Sequence, residues 1–214
     1  MKKNGLLARL LALVVVLASL PTPNVKGGDL PNGFAELRLA EGLDGTTVHY
    51  APDGRLFVTQ KIGLISIIKN GALLPTPFLD IKDDVDNTNE RGLQNMVFDP
   101  NFANNGYIYV YYCAIGQNHN RVSRFTATGD VANHDSEVVI LNLDPLASNI
   151  HNGGSMFFKG GKLFIATGEG SNGNLAQSFS SLLGKVLRIN SDGSIPTDNP
   201  FYTALTGNYR MIYA

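Results

Sequence analysis

A short phrase that recurs three times constrains the fold of this chain more than any other feature. Residues 53–58 (DGRLFV), 105–110 (NGYIYV) and 160–165 (GGKLFI) each place two turn residues directly before an apolar strand, at intervals of 52 and 55 residues. Turn residues followed by strand formers are typical of hairpins. A period near 50 with several strands per unit is typical of β-propeller blades. The repeat therefore predicts an all-β fold.

Each copy of the phrase is followed by a second apolar segment that ends in a turn. These segments are residues 64–71, 121–130 and 185–193. About three blades are thus present, whereas a closed propeller has roughly four to eight, and open sheet edges favour aggregation. We therefore expect residues 29–214 to be the N-terminal half of a propeller, truncated at its C-terminus. A half-propeller that closes by dimerising is the alternative.

Three segments outside the repeat carry weaker signals. Residues 30–48 are predicted to open the domain with a strand that includes Phe34, Leu37 and Leu39. Residues 175–183 fit either a short helix or a loop. Residues 209–214 read as a strand within which the chain stops.

The first 28 residues have the composition of a signal peptide and short leader. Lys2 and Lys3 precede an apolar run of 11 residues, 10–20, which is shorter than the roughly 20 residues that a membrane-spanning helix needs. We expect a secreted or periplasmic protein without a membrane span once this segment is removed. The net charge of −1 argues against a nucleic-acid partner. The one cysteine, Cys113, lies in an apolar run and is predicted to be buried.

His151 is the residue whose surroundings most suggest chemistry. It precedes Asn152, Gly153 and Gly154, and the glycines let the backbone approach a ligand closely. A histidine can act as general base near neutral pH. Glu169, 18 residues further on, follows a short apolar strand and is expected to orient the imidazole. The other histidines, at positions 49, 119 and 134, have no motif around them.

The loop at 80–91 is rich in carboxylates. Its acidic residues are Asp80, Asp83, Asp84, Asp86 and Glu90. Oxygen ligands of this kind bind calcium, but the spacing does not match an EF-hand loop. A solvated acidic turn is the favoured interpretation, and no metal ligand is assigned within this chain.

Several of these segments together resemble the glucose/sorbosone dehydrogenase family, the soluble quinoprotein sugar dehydrogenases. The matching segments are ERGL at 90–93, FDPNF at 98–102, NGYIYV at 105–110, HNGG at 151–154, ATGEG at 166–170, LGKVLRIN at 183–190, and DGSIP with DNP between 192 and 200. The resemblance extends over residues 34–214. The HNGG block and the final block are specific in combination.

The resemblance implies a propeller that is six-bladed when complete and binds pyrroloquinoline quinone and calcium. His151 matches the base that takes the hydroxyl proton of a sugar or related alcohol while hydride passes to the quinone. Glu169 matches the carboxylate that supports this base, and Glu90 stands where those enzymes have a glutamine that contacts the site. An external electron acceptor would reoxidise the cofactor. The calcium ligands are expected beyond Ala214.

Two departures from the family pattern affect these expectations. Ile150 stands where the glucose enzymes often have an aspartate, and the chain ends before an Arg-Asn-Pro motif that contacts the quinone. We therefore expect these 214 residues to be inactive alone. A non-catalytic propeller that binds a carbohydrate or a protein partner is the competing hypothesis. A calcium-dependent lactone hydrolase is a third, but this half of the chain does not supply its ligand cluster.

Overall fold

The computed structural model describes residues 30–214, so the predicted signal peptide lies outside the described residues. Residues 30–38 are the described part of the first of two compact units, and in them the Phe34 N–H donates to the Pro31 carbonyl at 3.1 Å. All strands of the described residues lie in the second unit, Leu39–Ala214. Within residues 30–214, no helix is long and apolar enough to cross a bilayer.

The second unit contains three antiparallel sheets that follow one another along the chain. Sheet 1 contains β1 (Gly45–Tyr50), β2 (Leu56–Gln60), β3 (Leu64–Lys69), β4 (Ala72–Leu73) and β5 (Leu79–Asp80), in the order β1-β2-β3-β4 with β5 also paired to β3. Sheet 2 contains β6 (Leu93–Phe98), β7 (Tyr107–Ala114), β8 (His119–Thr128) and β9 (Val131–Pro145), in chain order. Sheet 3 contains β10 (Gly153–Lys159), β11 (Lys162–Thr167) and β12 (Val186–Asn190), also in chain order.

This architecture confirms the all-β prediction and the three blades of a β-propeller. The three copies of the repeated phrase form the second strands β2, β7 and β11, and their partner segments form the third strands β3, β8 and β12. Helical structure within residues 30–214 is limited to the four-residue helix α1 (Phe102–Asn105) and the 3-10 helices Gly173–Gln177 and Gly207–Met211. The first of these 3-10 helices, followed by a loop, accounts for the ambiguous signal at 175–183.

The predicted strand at the start of the domain is wrong. Residues 30–44 form no strand, and β1 begins only at Gly45. Gly42 has a positive φ of 73°, which interrupts extended structure. Leu39 and Leu43 instead pack on the outer side of sheet 1, against Leu56 and other buried residues.

The strand predicted at 209–214 is also largely wrong. Residues 209–211 lie in a 3-10 helix, and only the last residues are extended. These pair with the beginning of β12, because the Tyr213 N–H donates to the Val186 carbonyl at 2.8 Å and the Val186 N–H to the Ala214 carbonyl at 2.6 Å.

Sheet 2 is buried on both faces because it lies between the other two sheets. Ile108, Val110 and Tyr112 of β7 pack in one apolar cluster with sheet 1. Tyr109 and Tyr111, on the opposite face, pack in a second cluster with sheet 3. A strand covered on both faces has no reason to alternate between apolar and polar residues. The continuous apolar run of β7 therefore follows from its position.

The first strands β1, β6 and β10 share a feature at the end where the candidate site lies. Each begins with a register shift, between Gly45 and Thr47 in β1, between Leu93 and Asn95 in β6, and between Gly153 and Ser155 in β10. Such bulges bend a strand and re-aim its first residues. The turn that precedes β10 carries His151 at this end of the sheets.

Candidate active site

His151 occupies a tight turn that only a glycine-rich sequence can form. Its φ of 58° lies in the left-handed region, which is unfavourable for a residue with a Cβ atom. Gly153 follows with a φ of 73°, and a Cβ there would lie 2.2 Å from the Gly168 nitrogen. A Cβ on Gly168 would lie 1.8 Å from the His151 carbonyl oxygen. The two glycines thus allow the turns at 151–153 and 168–170 to contact each other through their backbones.

This contact brings together His151 and Glu169, two of the residues predicted to form the site. The Nδ1 atom of His151 forms a hydrogen bond with Oε1 of Glu169, and the Gly170 N–H donates to the His151 carbonyl at 3.2 Å. Glu169 raises the pKa of His151 through the hydrogen bond and through its charge, and the charge of Glu90 adds to the effect. The same hydrogen bond lowers the pKa of Glu169. Glu169 is therefore the ionised acceptor, and Nδ1 carries the proton.

The imidazole remains accessible from solvent. The side chain of His151 is 52% exposed, and that of Glu169 is 26% exposed. Because Nδ1 is engaged by Glu169, Nε2 is the ring nitrogen that can accept a proton from a ligand. An oriented, accessible imidazole backed by a carboxylate is suited to general base chemistry.

Glu90 reaches the same turn from the loop that precedes sheet 2. Its Oε2 atom accepts the backbone N–H of His151 at 2.8 Å. The Glu90 backbone is itself fixed, because the Gln94 side chain donates to the Glu90 carbonyl at 2.7 Å. All three predicted site residues are therefore in one place, and Glu90 contacts the backbone of the predicted base.

Beneath His151 lies a buried polar network that the sequence did not indicate. The Asn152 carbonyl accepts the Tyr111 hydroxyl at 2.8 Å and the Asn120 amide at 3.0 Å. The Cys113 thiol donates to the Asn120 Oδ1 atom at 2.8 Å. Cys113 is buried as predicted, and burial raises its pKa to about 11. Asn120 was missed because one amide within a strand pattern carries no signal of its own.

The carboxylates of the acidic loop point to several different partners. Asp86 accepts Arg91 Nη1 at 2.6 Å and the Thr88 hydroxyl at 2.7 Å, while Asp84 contacts His134 at 2.8 Å. Across residues 30–214, no group of three or more His, Cys, Asp or Glu side chains is arranged to hold a metal ion.

The remaining histidines bond to side chains other than those that contact His151. His49 contacts Asn95 at 2.8 Å, and His119 contacts Asn142 at 3.0 Å. Neither has Glu169 or Glu90 as a hydrogen-bond partner.

Comparison with known proteins assigns the chain to a family. The sequence profile of the family Glucose / Sorbosone dehydrogenase matches residues 45–214. The chain belongs to this family. It is 30% identical over 159 residues to the aldose sugar dehydrogenase YliI of Escherichia coli (strain K12), which covers 71% of this chain and 42% of YliI. It is 31% identical to the Hedgehog-interacting protein of Mus musculus, over 70% of this chain and 25% of that protein.

A solved relative shows the same fold. The PQQ-bound form of the aldose sugar dehydrogenase of Streptomyces coelicolor superposes with a TM-score of 0.66 at 26% identity, over 76% of this chain and 49% of that one. The chain of this glucose/sorbosone dehydrogenase family member thus spans half or less of the length of these relatives.

Proposed function

We propose that this chain is the base-bearing half of an exported, quinone-dependent dehydrogenase that oxidises a sugar or related alcohol. The observation that carries the proposal is the accessible imidazole of His151, with Nδ1 held by Glu169 and its backbone N–H held by Glu90. The family membership and the PQQ-bound relative support the cofactor class. Export rests on the predicted signal peptide at 1–28.

The role of each residue follows from its contacts. His151 Nε2 takes the proton of the substrate hydroxyl, and Glu169 stabilises the imidazolium that results. Glu90 fixes the backbone of the turn and adds negative charge near the ring. A bound quinone would supply the acceptor for the hydride, two electrons and one proton, that leaves the substrate carbon.

The described residues around His151 are suited to taking a proton from the substrate. They are not suited to binding the carboxylates of the quinone. Glu90 and Glu169 are both acidic, and Arg91, the cation next to Glu90, is engaged by Asp86 and Asn118. We therefore propose that residues of the full-length protein outside 30–214 bind the carboxylates of the quinone and calcium. It follows that residues 1–214 alone are expected to be inactive.

The test uses the full-length protein reconstituted with pyrroloquinoline quinone and calcium. Sugar-dependent dye reduction is measured for the unsubstituted protein, for His151→Ala, and for His119→Ala as a matched control. Loss of a general base lowers the rate by about 10²- to 10⁴-fold, whereas His119→Ala should stay close to the unsubstituted protein. Equal activity of both variants would overturn the role of His151.

The alternative is a non-catalytic propeller that binds a carbohydrate or a protein, and one observation favours it. A relative named for its interaction with another protein, the Hedgehog-interacting protein, is about as similar to this chain as the aldose sugar dehydrogenase is. The absence of any quinone-dependent activity in the full-length protein, together with no quinone retained in equilibrium dialysis, would favour this second function.

A further inference from the structure

Two fully buried side chains of sheet 2 bind the backbone of the turn that carries His151. Tyr111 on β7 and Asn120 on β8 are both 0% exposed. Their hydroxyl and amide groups donate to the same acceptor, the carbonyl oxygen of Asn152, at 2.8 and 3.0 Å. The Gly168 N–H approaches this oxygen at 3.3 Å as well. Hydrogen bonds in such a dry environment are stronger than in water.

The Cys113 thiol fixes the orientation of the Asn120 side-chain amide. Cys113 pairs with Asn120 across the β7–β8 ladder, and its thiol donates to Oδ1. The amide must therefore present its NH₂ group to the Asn152 carbonyl. Burial raises the pKa of the Tyr111 hydroxyl well above its usual range, so this donor stays protonated. Both groups are therefore donors at neutral pH.

These bonds act on a backbone conformation that needs support. A non-glycine residue in the left-handed region is strained and persists only where its surroundings determine it. Glu90 holds the N–H of His151, Gly170 holds its carbonyl, and the side chains of sheet 2 hold the next carbonyl. The buried Asn152 carbonyl already accepts the Gly168 N–H, so the two side-chain donors exceed what one backbone carbonyl needs to be satisfied.

We propose that Tyr111 and Asn120 are positioning residues for His151. They hold the peptide that follows it and thereby fix its imidazole against Glu169, at the point where the substrate hydroxyl gives up its proton. The catalytic consequence rests on the proposed function, but the position of the imidazole can be measured without any cofactor.

The test compares two pairs of variants in the full-length protein. Tyr111→Phe and Asn120→Ala each remove a donor to Asn152. Tyr112→Phe and Ser123→Ala are the matched controls, because these hydroxyls, on the opposite face of the same strands, both donate to Glu137 Oε1 at 2.7 and 2.6 Å. Glu169 and Glu90, the charged groups that act on His151, are unchanged in all four variants.

The first readout is the pKa of His151, obtained from NMR titration of the histidine-labelled protein without quinone. We expect this pKa to fall toward its ordinary value in Tyr111→Phe and Asn120→Ala only, because the contact with Glu169 is loosened. In the reconstituted enzyme, kcat should fall about fivefold in each, as for the loss of one net hydrogen bond, with KM within about twofold. The two controls should leave the His151 pKa and kcat near those of the unsubstituted protein.

The outcomes separate this proposal from the proposed function. An unchanged His151 pKa in Tyr111→Phe, or an equal change in all four variants, overturns the positioning role whether or not the enzyme is active. A selective change of the pKa in a protein without quinone-dependent activity supports the positioning role and contradicts the dehydrogenase. Should Asn120→Ala fail to fold, the pair Tyr111→Phe and Tyr112→Phe decides the question by itself.

Discussion

At the scale of single residues, the chemistry of His151 depends on two carboxylates that act in different ways. Glu169 bonds to the ring, whereas Glu90 bonds to the backbone and acts on the ring only through its charge. Both favour the protonated imidazole. A base must be neutral before it accepts a proton, so these carboxylates set the pH below which the base is lost.

Replacement of Glu169 by glutamine should therefore lower the pKa of His151. The acidic limb of the kcat/KM profile of the reconstituted protein is expected to move to lower pH, because the imidazole stays neutral further into the acidic range. The plateau rate should nevertheless fall, by about tenfold or more, because the imidazolium formed in the reaction has lost its counter-charge.

Glu90→Gln is the comparison variant for this prediction. The glutamine carbonyl can still accept the His151 N–H, so only the charge is lost. We expect a shift of the acidic limb in the same direction, but smaller than in Glu169→Gln. A shift of the limb to higher pH in either variant would contradict the electrostatic account.

A second prediction concerns the glycine on which the backbone contact depends. Gly168→Ala would place a Cβ 1.8 Å from the His151 carbonyl, so the two turns must separate. We expect the free energy of unfolding to fall by about 1–3 kcal/mol, as in other overpacked sites, together with a large loss of activity. Urea titration and dye reduction measure the two effects.

Gly173→Ala in the same loop provides the control. A Cβ at Gly173 meets no atom within 4 Å, and its φ is not in the left-handed region. This variant should unfold near the midpoint of the unsubstituted protein and keep its activity. An equal loss in both variants would mean that the loop as a whole, and not the contact with His151, is sensitive to substitution.

The sequence could predict part of this site but not its supporting residues. His151 and Glu169 were recognisable because each lies beside glycines at the end of an apolar strand, a local pattern. Tyr111 and Asn120 were not recognisable, because each meets Asn152 only through the packing of sheet 2 on sheet 3, at separations of 41 and 32 residues. Nothing in the local sequence distinguishes such a side chain from an ordinary strand residue.

At the scale of elements, Arg55 connects two sheets at the end opposite His151. It lies in the turn before β2 and donates from Nη1 to the Gly129 carbonyl at 2.6 Å, in the turn between β8 and β9. It also contacts Asp53 and Asp130, and its guanidinium lies 5.1 Å from the centroid of the Phe57 ring. With only 11% of its side chain exposed, Arg55 is shielded from the screening that weakens surface ion pairs.

Arg55→Met should therefore destabilise the protein. Loss of the charge-assisted bond to the Gly129 carbonyl is expected to reduce the free energy of unfolding by about 1–3 kcal/mol in urea titrations. Lys69→Met is the control, because Lys69 contacts the same Asp130 but is 43% exposed, and such pairs add little stability. Equal effects of both substitutions would show that the link between the sheets is unimportant.

The stability lost in Arg55→Met should depend on pH in a definite direction. Arg55 lowers the pKa of Asp53 through a side-chain hydrogen bond. A carboxyl group with a lowered pKa stabilises the fold above its unfolded pKa of about 4 and loses this contribution as the pH falls through the folded value. The difference in the free energy of unfolding between the unsubstituted protein and Arg55→Met should thus become smaller in acid. Part of the difference should remain, because the bond from Arg55 to the Gly129 carbonyl does not depend on the ionisation of Asp53.

The elements themselves were largely predictable from the repeat. Each copy places turn residues before the second strand of a sheet, and the alternating or continuous apolar pattern follows from burial on one or both faces. The segments outside the repeat were not predictable in this way. Leu39 and Leu43 are apolar because they pack on sheet 1, and they do not belong to a strand. Residues 209–211 likewise resemble a strand in their sequence but form part of a 3-10 helix.

At the scale of the whole molecule, the face of sheet 3 that points away from sheet 2 is aromatic and uncovered. Phe157 stacks on Phe164 with ring centroids 4.9 Å apart, and Tyr213 meets Phe164 edge-on at 5.2 Å. Arg188 lies 5.9 Å from the Phe164 centroid. Phe157 and Tyr213 remain 50% and 43% exposed. The opposite face of sheet 3 is buried against sheet 2. An apolar face of this kind is normally covered in a folded protein.

We infer that in the full-length protein a further sheet covers this aromatic face, since the chain spans less than half of the length of YliI and of the Streptomyces coelicolor enzyme. Phe157→Cys in the full-length protein should then react slowly with a maleimide, whereas Val131→Cys, at an exposed position of β9, should react fast. Cys113 contributes little background, because it is buried and its pKa is raised to about 11. Equally fast labelling of both introduced thiols would show that the aromatic face is open, and the propeller would have to end at sheet 3. Slow labelling of Phe157→Cys alone would mean that the face is covered, and a monomeric mass in solution would then show that chain outside the described residues, and not a second copy of the protein, covers it.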